Sequence, residues 1–138
     1  MLPKPSILVV DDDPSHLRIY GWIMKAAGFH AVTAQAMATG VCLPDEDSFD
    51  AVVLDYRLTG ALTAVEAAQQ IQEKYPAAPI VILSDIFGMP EDIAPYAKHF
   101  VRKGEPEKLI STICSLLPPE KAAAAREQSS AAKPGVVA

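Results

Sequence analysis

The stretch Ser6-Ile7-Leu8-Val9-Val10-Asp11-Asp12-Asp13-Pro14 is an apolar run that ends in three carboxylates and a proline. Ile7 to Val10 show no polar alternation, so a strand here is buried on both faces, as in a parallel sheet covered by helices on either side. Asp13-Pro14 reads as a helix start, an N-cap acid followed by proline at the first helical position. Asp11 and Asp12 therefore stand at the carboxyl end of a central strand, the edge at which open α/β sheets bind ligands. Adjacent carboxylates repel, and a cation or strong donor between them relieves that repulsion.

Working outward, Pro14 to Gly28 reads as a helix closed by glycine, with Ile19, Tyr20, Ile23, Met24 and Ala27 on one apolar stripe. Trp22 falls off the stripe beside Arg18 and Lys25; it is expected to fold down over a neighbouring loop, with an exposed docking anchor as the other reading. Residues 30–34 form a weaker strand suited to a sheet edge. Met37 to Leu43 is expected to be a short helix, ended by Pro44 and the solvated acidic turn Asp45-Glu46-Asp47. Ala51-Val52-Val53-Leu54 is a second buried strand, ending at Asp55, and an amphipathic helix carrying Val65, Ala68 and Ile71 inward follows as far as Tyr75. Ile80-Val81-Ile82-Leu83 is a third, ending at Ser84. Residues 86–97, with Gly88, Pro90 and Pro95, allow only a short or irregular helix. A short strand, His99 to Arg102, ends at Lys103, and the last core helix carries Leu109, Ile110, Ile113, Leu116 and Leu117 up to Pro118-Pro119.

The length of 138 residues suits one domain. Residues 5–118 are expected to form it, and 119–138 an Ala-rich tail, a frayed helix or disordered. The net charge of -5, with 12 scattered basic residues, argues against direct nucleic-acid binding. Cys42 and Cys114 have no metal spacing and apolar neighbours, so they read as small buried hydrophobes in a reducing compartment. No stretch has signal-peptide character or the length to span a membrane, and a cytoplasmic location is expected.

Alternating strands and helices, five of each, give a doubly wound parallel sheet with helices on both faces. Strand orders 3-2-1-4-5 and 2-1-3-4-5 both fit the count. Asp55 meets Asp11 and Asp12 only if the first and third strands are neighbours, about 4.8 Å apart, which selects 2-1-3-4-5. Four strands then end in a functional group at one edge: Asp11 and Asp12, Asp55, Ser84 and Lys103. Three carboxylates suit a hard ion, and Mg²⁺ fits best because it takes carboxylates, keeps waters and binds phosphate. An ammonium and a hydroxyl opposite it are what phosphoryl oxygens need. With no histidine or cysteine at these strand ends, the chemistry reads as phosphoryl transfer to an aspartate.

The pattern Val-Val-Asp11-Asp12, Val-Leu-Asp55, Leu-Ser84 and Val-Arg-Lys103 resembles the receiver domain of bacterial response regulators, from about Ile7 to Leu117. The resemblance implies a flavodoxin-like fold and a stand-alone, non-enzymatic switch of a two-component or phosphorelay system. Asp55 would be the phosphoacceptor. Asp12 and Asp55 would bind Mg²⁺ directly, with Asp11 acting through water and the Arg57 backbone carbonyl completing the protein ligands. Ser84 would bond a phosphoryl oxygen, Lys103 would pair with the phosphoryl group, and Phe100 would be the aromatic switch that follows Ser84 inward. The implied partners are a sensor histidine kinase or histidine phosphotransfer protein and a downstream protein target; phosphorylation-dependent dimerisation stays open.

The chain departs from the family pattern at Thr59, where a proline is usual, and near Ala64, where the loop runs one residue longer before the position of the usual glycine. It departs again at Gly104, which replaces a proline after the lysine, and at Pro90 and Pro95 in the fourth helix. Two other readings stand beside the main one. A receiver-like module docks partners without phosphorylation. A haloacid-dehalogenase-type phosphatase would use Asp11-x-Asp13-x-Ser15 with Glu105 and Glu107, and would leave Asp55 without a role.

Overall fold

A computed structural model of the chain describes residues 3–58, 60, 62–85 and 88–129. The opening apolar run forms β1 (Ser6–Asp11), in which Ile7, Leu8, Val9 and Val10 are all buried. The chain continues through α1 (Pro14–Ala26), β2 (His30–Met37), β3 (Gly40–Val41), β4 (Ala51–Asp55) and α2 (Ala64–Lys74). It ends through β5 (Ile80–Ser84), β6 (His99–Arg102), α3 (Pro106–Leu116) and α4 (Pro119–Gln128). The sheet order is β3-β2-β1-β4-β5-β6. Every neighbouring pair from β2 to β6 is parallel, so the parallel strands keep the expected 2-1-3-4-5 order, and β3 adds a short antiparallel strand outside β2.

Strand residues alternate between two apolar layers, because successive side chains point to opposite faces. Leu8, Val10, Val52, Leu54, Ile80 and Ile82 pack with Ala64, Ala67, Ala68 and Ile71 of α2. Ile7, Val9, Val53, Val81, Leu83 and Val101 face the other way, against Leu17 and Met24 of α1, Leu109 and Ile113 of α3, and Ala122 and Ala125 of α4. Helices thus cover both faces, which is why no strand of the centre needs polar alternation.

The local start signals are realised. Asp13 caps α1, its carboxylate accepting from the Ser15 N–H at 2.8 Å, with Pro14 in the first turn. Thr63 and Glu66 form a capping box at α2, each side chain accepting from the other residue's N–H at 3.1 Å.

Five expectations are corrected. The helix expected over Met37 to Leu43 is instead the end of β2 and the β3 strand. The cause is a tertiary clamp: Gln70 of α2 accepts from the Val41 N–H at 2.8 Å and donates to the Val41 carbonyl at 2.9 Å, as a neighbouring strand would. Residues 38–39 make the reversal, and Gly40 follows them into β3 at φ +143°. The buried residues Ala34, Ala36 and Val41 follow this hairpin.

On α1 the core line runs through Leu17, Gly21 and Met24, leaving Ile19 55% and Trp22 71% exposed. A side chain at Gly21 would come 3.3 Å from Thr33, so the glycine lets the helix lie close on β2 and turns Ile19 outward. Trp22 therefore does not fold down over a loop. Cys42 is exposed and Cys114 half-buried, both as free thiols, because β3 ends before Cys42 and α3 turns Cys114 toward the layer's margin.

The expected frayed extension is a seated helix, α4, with Ala122, Ala124 and Ala125 buried. Gly28, at φ +93°, takes the αL turn after α1 and admits the Ala125 carbonyl so closely that a Cβ there would lie 1.9 Å from it. Lys121 pairs with Asp50 at 2.6 Å, and the Ser129 hydroxyl donates to the Ala26 carbonyl at 3.1 Å. The tail expected beyond it, and Thr59, fall outside the described residues. Residues 91–96 form turns, with Ile93 fully buried beneath them. Among the described residues no helix is long and apolar enough to cross a membrane.

Candidate functional site

Register builds the site. Val10 lies opposite Leu54, so the next residues, Asp11 and Asp55, end neighbouring strands at one level. Leu83 lies opposite Asp55 and Ser84 opposite Arg102, which sets Ser84 one step and Lys103 two steps further along the same edge. The ladder continues past the carboxylates: the Tyr56 N–H donates to the Leu83 carbonyl at 3.0 Å, and the Lys103 N–H to the Ser84 carbonyl at 2.8 Å. These bonds hold the residues before and after the reactive groups in sheet geometry.

Asp11, Asp12 and Asp55 each offer a carboxylate oxygen within 4.8 Å of the others. Asp11 and Asp55 are 2% exposed, Asp12 is half-buried and Ser84 is fully buried. Lys103 Nζ stands 3.2 Å from Asp55 Oδ1. The backbone adds donors, from Asp13 N–H to Asp11 Oδ1 at 3.0 Å and from Arg57 N–H to Asp55 Oδ1 at 3.3 Å.

The charges do not balance. Burial pushes the Asp11 carboxyl up to about 7, the Asp13 N–H opposes this, and the neighbouring Asp55 and Asp12 add to the rise. Burial alone would lower Lys103, but the Asp55 carboxylate, with smaller help from Asp11 and Tyr20, outweighs it and holds the ammonium above its ordinary value. Burial raises the Tyr20 phenol; Lys103 pulls it down while Asp55 and Asp11 push it up, so α1 brings this ring within the field of the same edge. Three carboxylates against one ammonium make a pocket short of positive charge. The all-oxygen donor set fits a hard divalent cation such as Mg²⁺.

The structure thus gathers Asp11, Asp12, Asp55 and Lys103, with Ser84 at the end of the adjacent strand. Phe100 sits on β6 opposite Ile82, half-buried against the layer that α2 covers. The Arg57 side chain turns away from Asp55 to pair with Asp85 at 3.0 Å, a bridge between the loops that follow β4 and β5. Gly104 has φ +88°, which proline cannot adopt.

Reading by strand ends missed the contributions of α1 and β2. His16 Nδ1 lies 3.4 Å from Asp11 Oδ2, and Gln35 Nε2 donates to the Asp12 carbonyl at 3.2 Å. Tyr20 was legible only as a member of the core stripe. His16 carried a usable signal, since a residue one helical turn past Asp13 returns to the acidic edge.

Residues 7–113 match the family model described as the response regulator receiver domain. Transcriptional regulatory protein GlrR of Escherichia coli (strain K12) is 30% identical over 95 residues, covering 68% of this chain and 21% of that protein. The chain therefore spans about a fifth of that relative's length. Among solved structures, the chemotaxis response regulator CheY4 of Vibrio cholerae is similar with a TM-score of 0.67 at 21% identity, over 83% of this chain and 99% of that one. Response regulator protein TrrA of Thermotoga maritima, in complex with Mg²⁺-BeF, gives 0.64 at 24% identity, over 82% and 99%. TrrA is also solved in complex with the histidine kinase ThkA. At these identities the structural likeness establishes the fold.

Proposed function

The chain belongs to the response regulator receiver domain family, and from that premise we propose that it accepts a phosphoryl group on Asp55 in a Mg²⁺-dependent reaction and signals by contact with another protein. The observation that carries this reading is Asp55 itself: a buried carboxylate at a strand end, 3.2 Å from the Lys103 ammonium and within 4.8 Å of two further carboxylates.

An Asp55 oxygen attacks phosphorus in a phosphohistidine or a small phosphodonor; the bond from phosphorus to the donor's nitrogen or oxygen breaks, and the donor leaves with that electron pair. Asp12, Asp55 and the Arg57 carbonyl would hold Mg²⁺, with Asp11 acting through water, and the ion would neutralise the incoming charge. Lys103 pairs with the phosphoryl oxygens. The Ser84 hydroxyl donates to one of them, and Phe100 follows Ser84 inward, so that a local contact biases the surface that a partner reads. TrrA's complex with a histidine kinase supports a kinase as the phosphodonor. The chain serves as a phosphoacceptor and does not turn over a phosphate ester: Asp55 stands inside the cluster, where the phosphatase reading leaves it idle.

Intact mass after incubation with acetyl phosphate tests the proposal, with and without Mg²⁺, on wild type and Asp55→Asn. A Mg²⁺-dependent phosphoryl adduct, absent in the variant, is expected. No adduct under any condition would overturn it in favour of a docking module that works without phosphorylation.

A further inference from the structure

An apolar groove of about 760 Å³ lies between α1 and α3. Trp22, Ile23 and Ala26 line it from α1, and Ile110 and Cys114 from α3, each helix presenting residues three or four apart on one face. Trp22 is 71% exposed and the other four are half-buried, so the described residues leave this apolar surface open to water. Glu107, exposed in the first turn of α3, stands on the same wall and makes no ion pair among the described residues.

The chain itself arrives at this groove. α4 ends at Gln128, and Ser129 lines the groove with its backbone extended (φ -75°, ψ 126°) and its hydroxyl donating to the Ala26 carbonyl at 3.1 Å. Nine residues follow in the sequence, Ser130-Ala131-Ala132-Lys133-Pro134-Gly135-Val136-Val137-Ala138. They carry one charged residue, Lys133, and two large apolar ones, Val136 and Val137. Both helices follow parallel strands and run the same way, so Ser129, at the last residue of α1, marks one end of the groove and Glu107 the other. Four residues of extended chain span about 13 Å, and the seven residues of α3 from Cys114 back to Glu107 rise about 10 Å, so Lys133 is within reach of Glu107. Pro134-Gly135 then reads as a turn, which brings the valines back over the groove. A segment tethered at the groove's edge meets it at high effective concentration, and modest apolar contact is enough to hold it.

We infer that residues 130–138 are the occupant of this groove, with Val136 and Val137 buried against Trp22, Ile23 and Ile110, and Lys133 paired with Glu107. The segment is an internal cover on the α1 face, and a partner that docks on that face has to displace it. This stands apart from the phosphorylation of Asp55 and does not depend on it.

Trp22 is the sole tryptophan of the chain, so its fluorescence reports the groove. Acrylamide quenching is measured on the full chain, on Val136→Asp/Val137→Asp and on a chain ending at Ser129. Stripping apolar cover from the indole exposes it to the quencher, so both changes are expected to raise the quenching constant about twofold and shift the emission to the red. Glu107→Lys is expected to raise it in part, and Lys133→Glu combined with it to return the wild-type value. Equal quenching in all these chains overturns the inference. A wild-type value that rises on dilution also overturns it, because a second copy would then be the occupant. Failure of the charge exchange to restore the wild-type value overturns the pairing of Lys133 with Glu107.

Discussion

Asp11 is the residue at which burial and charge oppose each other most directly. Its folded pKa of about 7 lies above the ordinary 3.8, so the folded state holds this proton more tightly than the unfolded one. The stability it contributes is therefore fully present below 3.8 and lost as pH rises through about 7. In chelated buffer Asp11→Asn, which keeps an acceptor for the Asp13 N–H and removes the charge, should do little at pH 3.5 and stabilise the fold at pH 8 by a few kcal/mol. Thermal melts at the two pH values check this, and Mg²⁺ should stabilise the wild type more than the variant. Asp11, Asp55, Ser84 and Lys103 were legible because a strand's carboxyl end is fixed by its apolar run. His16 and Gln35 were not, because their reach depends on how α1 and β2 lie against β1. Ile19 was misread for a related reason: Gly21 contributes no apolar side chain, yet it is buried on the core line, where a Cβ would come 3.3 Å from Thr33 of β2.

Among the elements, β3 depends on a side chain. Its two residues pair with β2 on one side, and Val41 bonds the Gln70 amide on the other. Gln70→Ala removes both bonds to Val41 and leaves a partly buried N–H and carbonyl to find water. A destabilisation of about 1–3 kcal/mol is expected, with amide exchange at Val41 accelerated far more than at β1 or β4. Unchanged exchange at Val41 would mean that the pairing with β2 alone holds the hairpin. Residues 37–43 read as helix because the local pattern permits one; a single long-range amide decides otherwise, and no window of neighbouring sequence contains it. The central strands were legible for the opposite reason, since burial on both faces writes an unbroken apolar run into the chain.

At the scale of the whole molecule, α4 adds a second attachment at the sheet end remote from the carboxylates. Asp50 joins three segments there: it accepts from the Ser6 N–H at 2.8 Å, pairs with Lys121 at 2.6 Å and leads into β4. Gly28→Ala would drive a Cβ into the Ala125 carbonyl and strain the φ +93° turn. The expected result is loss of exchange protection over residues 119–128 and a destabilisation of about 1–3 kcal/mol, with the Mg²⁺-dependent mass adduct on Asp55 retained. Loss of the adduct would mean that α4 supports the site and not only the sheet's far end. Composition identified these residues as unable to form a core of their own. It could not reveal that small alanines suit a helix laid against a glycine.

The hairpin outside β2 also has a colloidal consequence. An open sheet offers a row of unpaired amides at each rim, a template on which foreign chains can polymerise. At one rim the template is only two residues long and is stoppered by the Gln70 amide. At the other, β6 is four residues long and ends in the exposed Arg102, with Lys98 just before it. Truncation guards one rim and charge guards the other, so a concentrated solution of the folded chain has little to nucleate a fibril.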